Sequence, residues 1–135
     1  MTLPTTLRTA AAAACLLVLA AVPAQAAGRD RVPGDWLRLT LTTGDGRSGD
    51  TRGTLLMCDP PLGHSRAAEA CEALDGVDGD IARLTPRDAV CAMIYAPVTA
   101  RAEGRWNGRP VTYERQFGNP CELRALTGAV FALDG

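Results

Sequence analysis

The chain has 135 residues, 47% of them hydrophobic, and sets 14 Lys+Arg against 15 Asp+Glu for a formal net charge of -1 at pH 7. So even a balance gives no electrostatic argument for binding nucleic acid or an anionic membrane surface. The length suits one domain with a single core, small enough to gain from cross-links.

Residues 1–26 have the organisation of a secretory signal peptide. Arg8 is basic, residues 9–22 are apolar and Ala-rich, and Ala24-Gln25-Ala26 gives a small-x-small cleavage pattern. The apolar run, about 14 residues, is short for a bilayer span, which needs roughly 20. A lipid anchor at Cys15 would have to cut the signal in its middle. The expectation is a secreted, extracellular protein with no membrane partner, its mature domain being residues 27–135. Four cysteines then remain, Cys58, Cys71, Cys91 and Cys121. An even number in an exported chain of this size argues for two disulfides, with three pairings open. Zinc is the competing use, but it wants close pairs such as C-x-x-C, and these cysteines are widely spaced. No metal and no cofactor are expected.

Residues 36–42 alternate Leu37, Leu39 and Leu41 with Arg38, Thr40 and Thr42, the pattern of a half-buried strand. A Gly-rich turn over residues 44–53 leads to a second strand at 54–58, which suggests a hairpin. Residues 65–75 place Ala67, Ala70, Cys71 and Leu74 at helical spacing, with Ser65 as candidate N-cap and Gly76 as stop. Residues 80–84 predict a shorter helix. Strand signals return at 98–103, 105–106, 109–117 and 129–133. Asn107-Gly108 is the hairpin turn, since both residues tolerate positive φ. Strands, helix, strands is the order of an α+β fold with an antiparallel sheet.

Enzyme chemistry has few places to sit. His64 is the only histidine, so any Ser-His-Asp or metal-hydrolase mechanism must pass through it. Ser65 is its immediate neighbour, which does not form a nucleophile and base pair, and no G-x-S-x-G elbow occurs. The protein is expected not to be an enzyme. The segment that stands out is Ala89-Val-Cys-Ala-Met-Ile-Tyr-Ala-Pro97, nine residues without charge. By periodicity alone it reads as a buried strand. Cys91 at one end and Pro97 at the other, where a ladder donor is missing, resist that assignment.

With its neighbours, this segment resembles the Streptomyces subtilisin inhibitor family. The resemblance is carried by Cys58-Asp-Pro-Pro-Leu-Gly-His64 followed by Ala70-Cys71-Glu-Ala-Leu74, by Val77-Asp-Gly-Asp80, and by Val90-Cys-Ala-Met-Ile-Tyr-Ala-Pro-Val98. It continues through Gly104-Arg-Trp-Asn-Gly-Arg109, Val111-Thr-Tyr-Glu-Arg115, Phe117, Asn119, Cys121 and Val130-Phe-Ala132. Ala92, Ala96 and Ser65 depart from the residues usual in the family.

The resemblance implies a five-stranded antiparallel sheet with two helices, disulfides Cys58 to Cys71 and Cys91 to Cys121, and a homodimer. It implies a reactive bond between Met93 (P1) and Ile94 (P1′), with Val90, Cys91, Ala92 and Tyr95 as further protease-contacting positions. Asn119 becomes a candidate brace for loop carbonyls, or else a turn residue before Pro120. Partners would be subtilisin-like serine proteases first and chymotrypsin-like ones second. A secreted binding module on the same scaffold, without inhibition, is the alternative.

Overall fold

The computed structural model describes residues 34–44 and 49–134. The expected signal peptide and residues 45–48 of the expected turn lie outside them. Five strands form one antiparallel sheet: β1 (Trp36–Thr43), β2 (Thr51–Cys58), β3 (Pro61–Leu62), β4 (Val98–Trp106) and β5 (Arg109–Phe117), in spatial order β3-β2-β1-β4-β5. Two α-helices, α1 (Ala67–Asp75) and α2 (Pro120–Thr127), and a 3₁₀ turn at Ile81–Arg83 complete the α+β fold.

β1 is the central strand because its alternation is complete. Leu37, Leu39 and Leu41 are buried, and each faces a small or apolar partner across β4. Leu37 lies opposite Gly104, Leu39 opposite Ala102 and Leu41 opposite Ala100. The same core takes Leu56 from β2, Ala70 and Leu74 from α1, Ile81, Leu123 from α2, Trp106 and Phe117. The helices therefore cover the leucine face. The opposite face exposes Arg38, Arg101, Glu103, Thr112 and Glu114, with the Arg101–Glu114 pair at 2.8 Å joining directly opposed residues. One row on that open face is apolar: Leu62, Met57 and Trp36 are cross-strand neighbours, and Leu62 is exposed.

The structure differs from the sequence expectation in five places. β2 begins at Thr51, inside the expected turn, because Thr51, Arg52 and Gly53 pair with Thr42, Leu41 and Thr40 of β1. β4 runs unbroken through Gly104, where two pieces are expected. A Cβ there would lie 2.1 Å from the Trp36 carbonyl oxygen, so the glycine permits close strand approach and marks no break. Asn107 (φ 48) and Gly108 (φ 74) make the expected left-handed turn.

At the start of α1, Ser65 is not the cap. The N-cap position is Arg66, with no side-chain cap of its own, and the His64 ring takes the free donor: Arg66 N–H donates to Nδ1 at 2.9 Å. Residues 129–133 are tight turns and no strand. Ala129, Val130 and Phe131 are buried, and their backbone bonds are short-range, Val130 N–H to Thr127 O and Ala132 N–H to Ala129 O. An apolar run plugging a core from a turn looks like a buried strand in sequence. Finally, α2 falls where no local helix is expected, its existence being implied by the resemblance alone.

Candidate functional site

Between the 3₁₀ turn and β4 the chain runs through residues 85–97 without regular structure. Val90 and Met93 are 103% exposed, Tyr95 81% and Ile94 65%, and Ala92 is exposed as well. Large apolar side chains projecting together from one short segment are unusual for a soluble surface and mark a contact site. The periodicity reading of this run as a buried strand is therefore overturned.

The segment is exposed but held at several points. Upstream, Arg87 N–H donates to Ala125 O of α2 at 2.7 Å, and the Arg87 guanidinium pairs with Glu69 of α1 at 2.9 Å. Cys91 is joined to Cys121 in the first turn of α2, with Cα atoms 5.7 Å apart. Ile94 N–H donates to Ala92 O at 2.8 Å, a tight turn centred on Met93. Downstream, Asn119 Nδ2 donates to Ile94 O at 3.0 Å and Ala96 N–H donates to Gly118 O at 2.9 Å. Pro97 O accepts from Gly44 N–H at 2.9 Å, just before β4 begins.

The platform is α2, and its start explains the geometry. Asn119 is the N-cap, its Oδ1 accepting Glu122 N–H at 2.9 Å, and Pro120 follows at the first helical position, where no donor is needed. Cys121 thus sits on a rigid first turn directly under the exposed segment. Between segment and helix lies a hollow of about 670 Å³, bordered by Ile94, Tyr95, Asn119, Glu122, Ala125 and Leu126. The apolar side chains of the segment project outward, and Glu122 is the one carboxylate on the hollow, with no His, Lys or Ser beside it.

The other disulfide, Cys58 to Cys71, ties the end of β2 to α1 with Cα atoms 5.4 Å apart. It lies away from the segment and secures the core, where Cys71 is buried. His64 is committed to the backbone by both nitrogens: Nδ1 accepts from Arg66 N–H, so Nε2 carries the proton and donates to Val130 O at 3.1 Å. Burial holds its pKa below the ordinary 6.5, with the Arg66 charge acting in the same direction and the Val130 bond opposing. A histidine so engaged has no free nitrogen for general-base work. Among the described residues, no three His, Cys, Asp or Glu side chains converge as metal ligands, and no helix is long and apolar enough to cross a membrane.

Of the expected site residues, Val90, Cys91, Ala92, Met93, Ile94 and Tyr95 are brought together in one segment, and Asn119 lies beneath it with its amide on the Ile94 carbonyl. Sequence reasoning missed Arg87, Gly118 and Glu122. The signal for the last was present: Asn119-Pro-Cys-Glu122 is an N-cap followed by an acidic residue three positions on.

Comparison with known proteins identifies the family of the chain. The subtilisin inhibitor-like family matches residues 34–119. A provisionally named serine protease inhibitor of Streptomyces avermitilis is 57% identical over 120 residues, covering 89% of this chain and 82% of its own. The subtilisin inhibitor of Streptomyces albogriseolus is 44% identical over 101 residues, 70% of each chain. Among solved structures, Streptomyces caespitosus sermetstatin in complex with Bacillus licheniformis subtilisin matches with TM-score 0.57 and 34% identity, over 72% of this chain and 98% of that one. With the family matched over most of the chain and the exposed segment anchored on a disulfide-bearing helix, the protein belongs to the subtilisin inhibitor-like family of protease inhibitors.

Proposed function

We propose that the protein is a secreted inhibitor of subtilisin-like serine proteases, chymotrypsin-like ones being secondary targets, and that it offers Met93–Ile94 as a substrate-like reactive bond. Met93 is P1 and Ile94 P1′, flanked by Val90, Cys91 and Ala92 on one side and Tyr95 on the other. The observation that carries this reading is a fully exposed Met93 in a segment tethered on both sides of the following peptide bond. Ordering six free residues on binding would cost roughly 6 to 12 kcal/mol of backbone entropy; here that ordering is already supplied by the fold. Met93 suits a large apolar S1 pocket, where its burial is worth roughly 1.5 to 3 kcal/mol.

The tethers also lead to the expectation of slow turnover. If the bond is cut, the Met93 carboxylate stays near α2 through Cys91–Cys121, and the new Ile94 amine stays through Asn119 and Ala96. Religation then competes with release, so one geometry gives both tight binding and slow hydrolysis. Titration of a subtilisin with the mature protein, followed by mass spectrometry of the complex, tests the reading. Stoichiometric loss of protease activity with slow cleavage at Met93–Ile94 is expected. Cleavage elsewhere, or a binding module that leaves the protease active, would overturn it.

A homodimer through the open sheet face belongs to the same proposal, supported by the Leu62, Met57 and Trp36 row on that face. Light scattering at micromolar concentration is expected to give twice the chain mass, and a single-chain mass would count against it.

A further inference from the structure

We propose that Glu122 is a positioning residue for the reactive segment, holding the leaving-group side of Met93–Ile94 through two relays. This rests on the reading of that bond as reactive. The restraint on the two sides of the bond is asymmetric. Upstream it is covalent, through Cys91–Cys121. Close downstream it consists of two hydrogen bonds, Asn119 Nδ2–H to Ile94 O and Ala96 N–H to Gly118 O.

Both downstream bonds lead back to Glu122. Its backbone N–H donates to Asn119 Oδ1 at 2.9 Å, which fixes which way the amide faces and leaves the NH₂ group to meet Ile94 O. Its carboxylate Oε2 accepts Gly118 N–H at 2.9 Å, and the carbonyl of that same glycine receives Ala96 N–H. Gly118 has the widest backbone freedom of any residue type, so something outside it must fix its orientation. A Cβ on Gly118 would lie 3.0 Å from Glu122 Oε2, so the glycine also admits the carboxylate. These bonds hold the cut Ile94 amine close to the break, ahead of the Pro97–Gly44 bond and β4 further along the chain. Loss of the carboxylate leaves the backbone relay through Asn119 in place and frees Gly118, and with it the Ala96 bond, so it is expected to speed release of the cleaved product more than it weakens first binding.

The experiment uses the full mature chain with Glu122→Ala, Glu122→Gln and Glu122→Asp. Three quantities are measured: initial inhibition of a subtilisin, the rate of Met93–Ile94 cleavage by mass spectrometry, and amide exchange at Gly118 and Ala96 without protease. A hydrogen bond to a charged group is strong enough that Glu122→Ala is expected to raise cleavage and both exchange rates by about tenfold, with initial inhibition changed less than about threefold. Glu122→Gln keeps an acceptor oxygen and is expected to restore both quantities to near the unsubstituted values, which a purely charge-based role would not. Should Glu122→Ala fail to fold, Glu122→Asp, one methylene short of Gly118, is expected to show the same rises. Unchanged cleavage and exchange in the folded Ala or Asp chain, or a Gln chain as impaired as Ala, would overturn the role of Glu122. Cleavage of the unsubstituted chain away from Met93–Ile94 would instead sink the reactive-bond reading, while the amide exchange still decides whether Glu122 holds the segment.

Discussion

Met93 makes no contact that the core requires, so on the proposed reading a single side chain separates recognition from folding. Met93→Arg is expected to change stability by less than about 0.5 kcal/mol, as surface substitutions do. It should strengthen inhibition of trypsin greatly, because a guanidinium finds the acidic base of that S1 pocket. Subtilisin affinity should fall by less, since an open apolar pocket still accepts the methylenes of Arg. Paired inhibition constants with a thermal melt check this. Unfolding would place Met93 in the core, and a folded variant with unchanged trypsin inhibition would place the reactive bond elsewhere. His64 is the opposite case, a residue whose work is entirely structural. Protonating it puts an N–H at Nδ1 facing the Arg66 N–H. Its folded pKa lies below 6.5, so the neutral ring's stabilisation is complete above pH 6.5 and is lost as pH falls below that value. The Glu69 and Asp78 carboxyls are held below their ordinary 4.5 and 3.8, by Arg87 and Arg66 in one case and Asn107 and Arg109 in the other, so their loss begins at lower pH. The fall in urea midpoint between pH 7 and 5 is expected to flatten in His64→Gln. An equal fall in both proteins would show that His64 does not set it.

Among the elements, β1 is legible from sequence because burial on one face forces strict alternation over its length. The short helix α2 is not. Its eight residues give barely two turns of pattern, and Asn119-Pro120 reads equally well as a turn, so only the Glu at the third helical position separates the two. The run at residues 129–133 misleads for the converse reason: Val130 and Phe131 are apolar because they close the core under α2, not because they join a ladder. Asn119 joins these levels, capping α2 with one amide atom and bracing Ile94 with the other. Two substitutions divide the roles. Asn119→Asp keeps the capping oxygen and loses the donor, so stability should hold while cleavage of Met93–Ile94 accelerates. Asn119→Ala loses both, and should add a stability loss of about 1 kcal/mol. Thermal melts and cleavage rates on the two variants check this, and an Asp variant cleaved no faster than the parent would mean the Ile94 contact does not restrain the bond.

At the scale of the whole molecule, neither strand order nor the assignment of each disulfide to a region follows from local sequence, because both depend on contacts far apart in the chain. The structure gives the two disulfides different work. Cys58–Cys71, separated by 13 residues, joins β2 to α1 beside the core. Cys91–Cys121, separated by 30, joins an exposed segment to the helix beneath it. On the chain-entropy model the two stabilise by similar amounts, about 3 kcal/mol for the shorter loop and about 3.7 kcal/mol for the longer. Melting temperature alone therefore does not tell them apart, and the fate of the proposed reactive bond should. The double variant Cys58→Ser with Cys71→Ser should melt earlier yet, wherever it is folded, inhibit a subtilisin and resist cleavage like the parent. The double variant Cys91→Ser with Cys121→Ser should melt earlier by a similar amount and become a substrate, because a cut chain no longer holds the Met93 carboxylate beside the Ile94 amine. Both measurements belong well below each variant's melting midpoint, where unfolded chain does not contribute cleavage. If the second variant stayed as slowly cleaved as the first, retention of the ends would not account for the inhibition proposed for this segment.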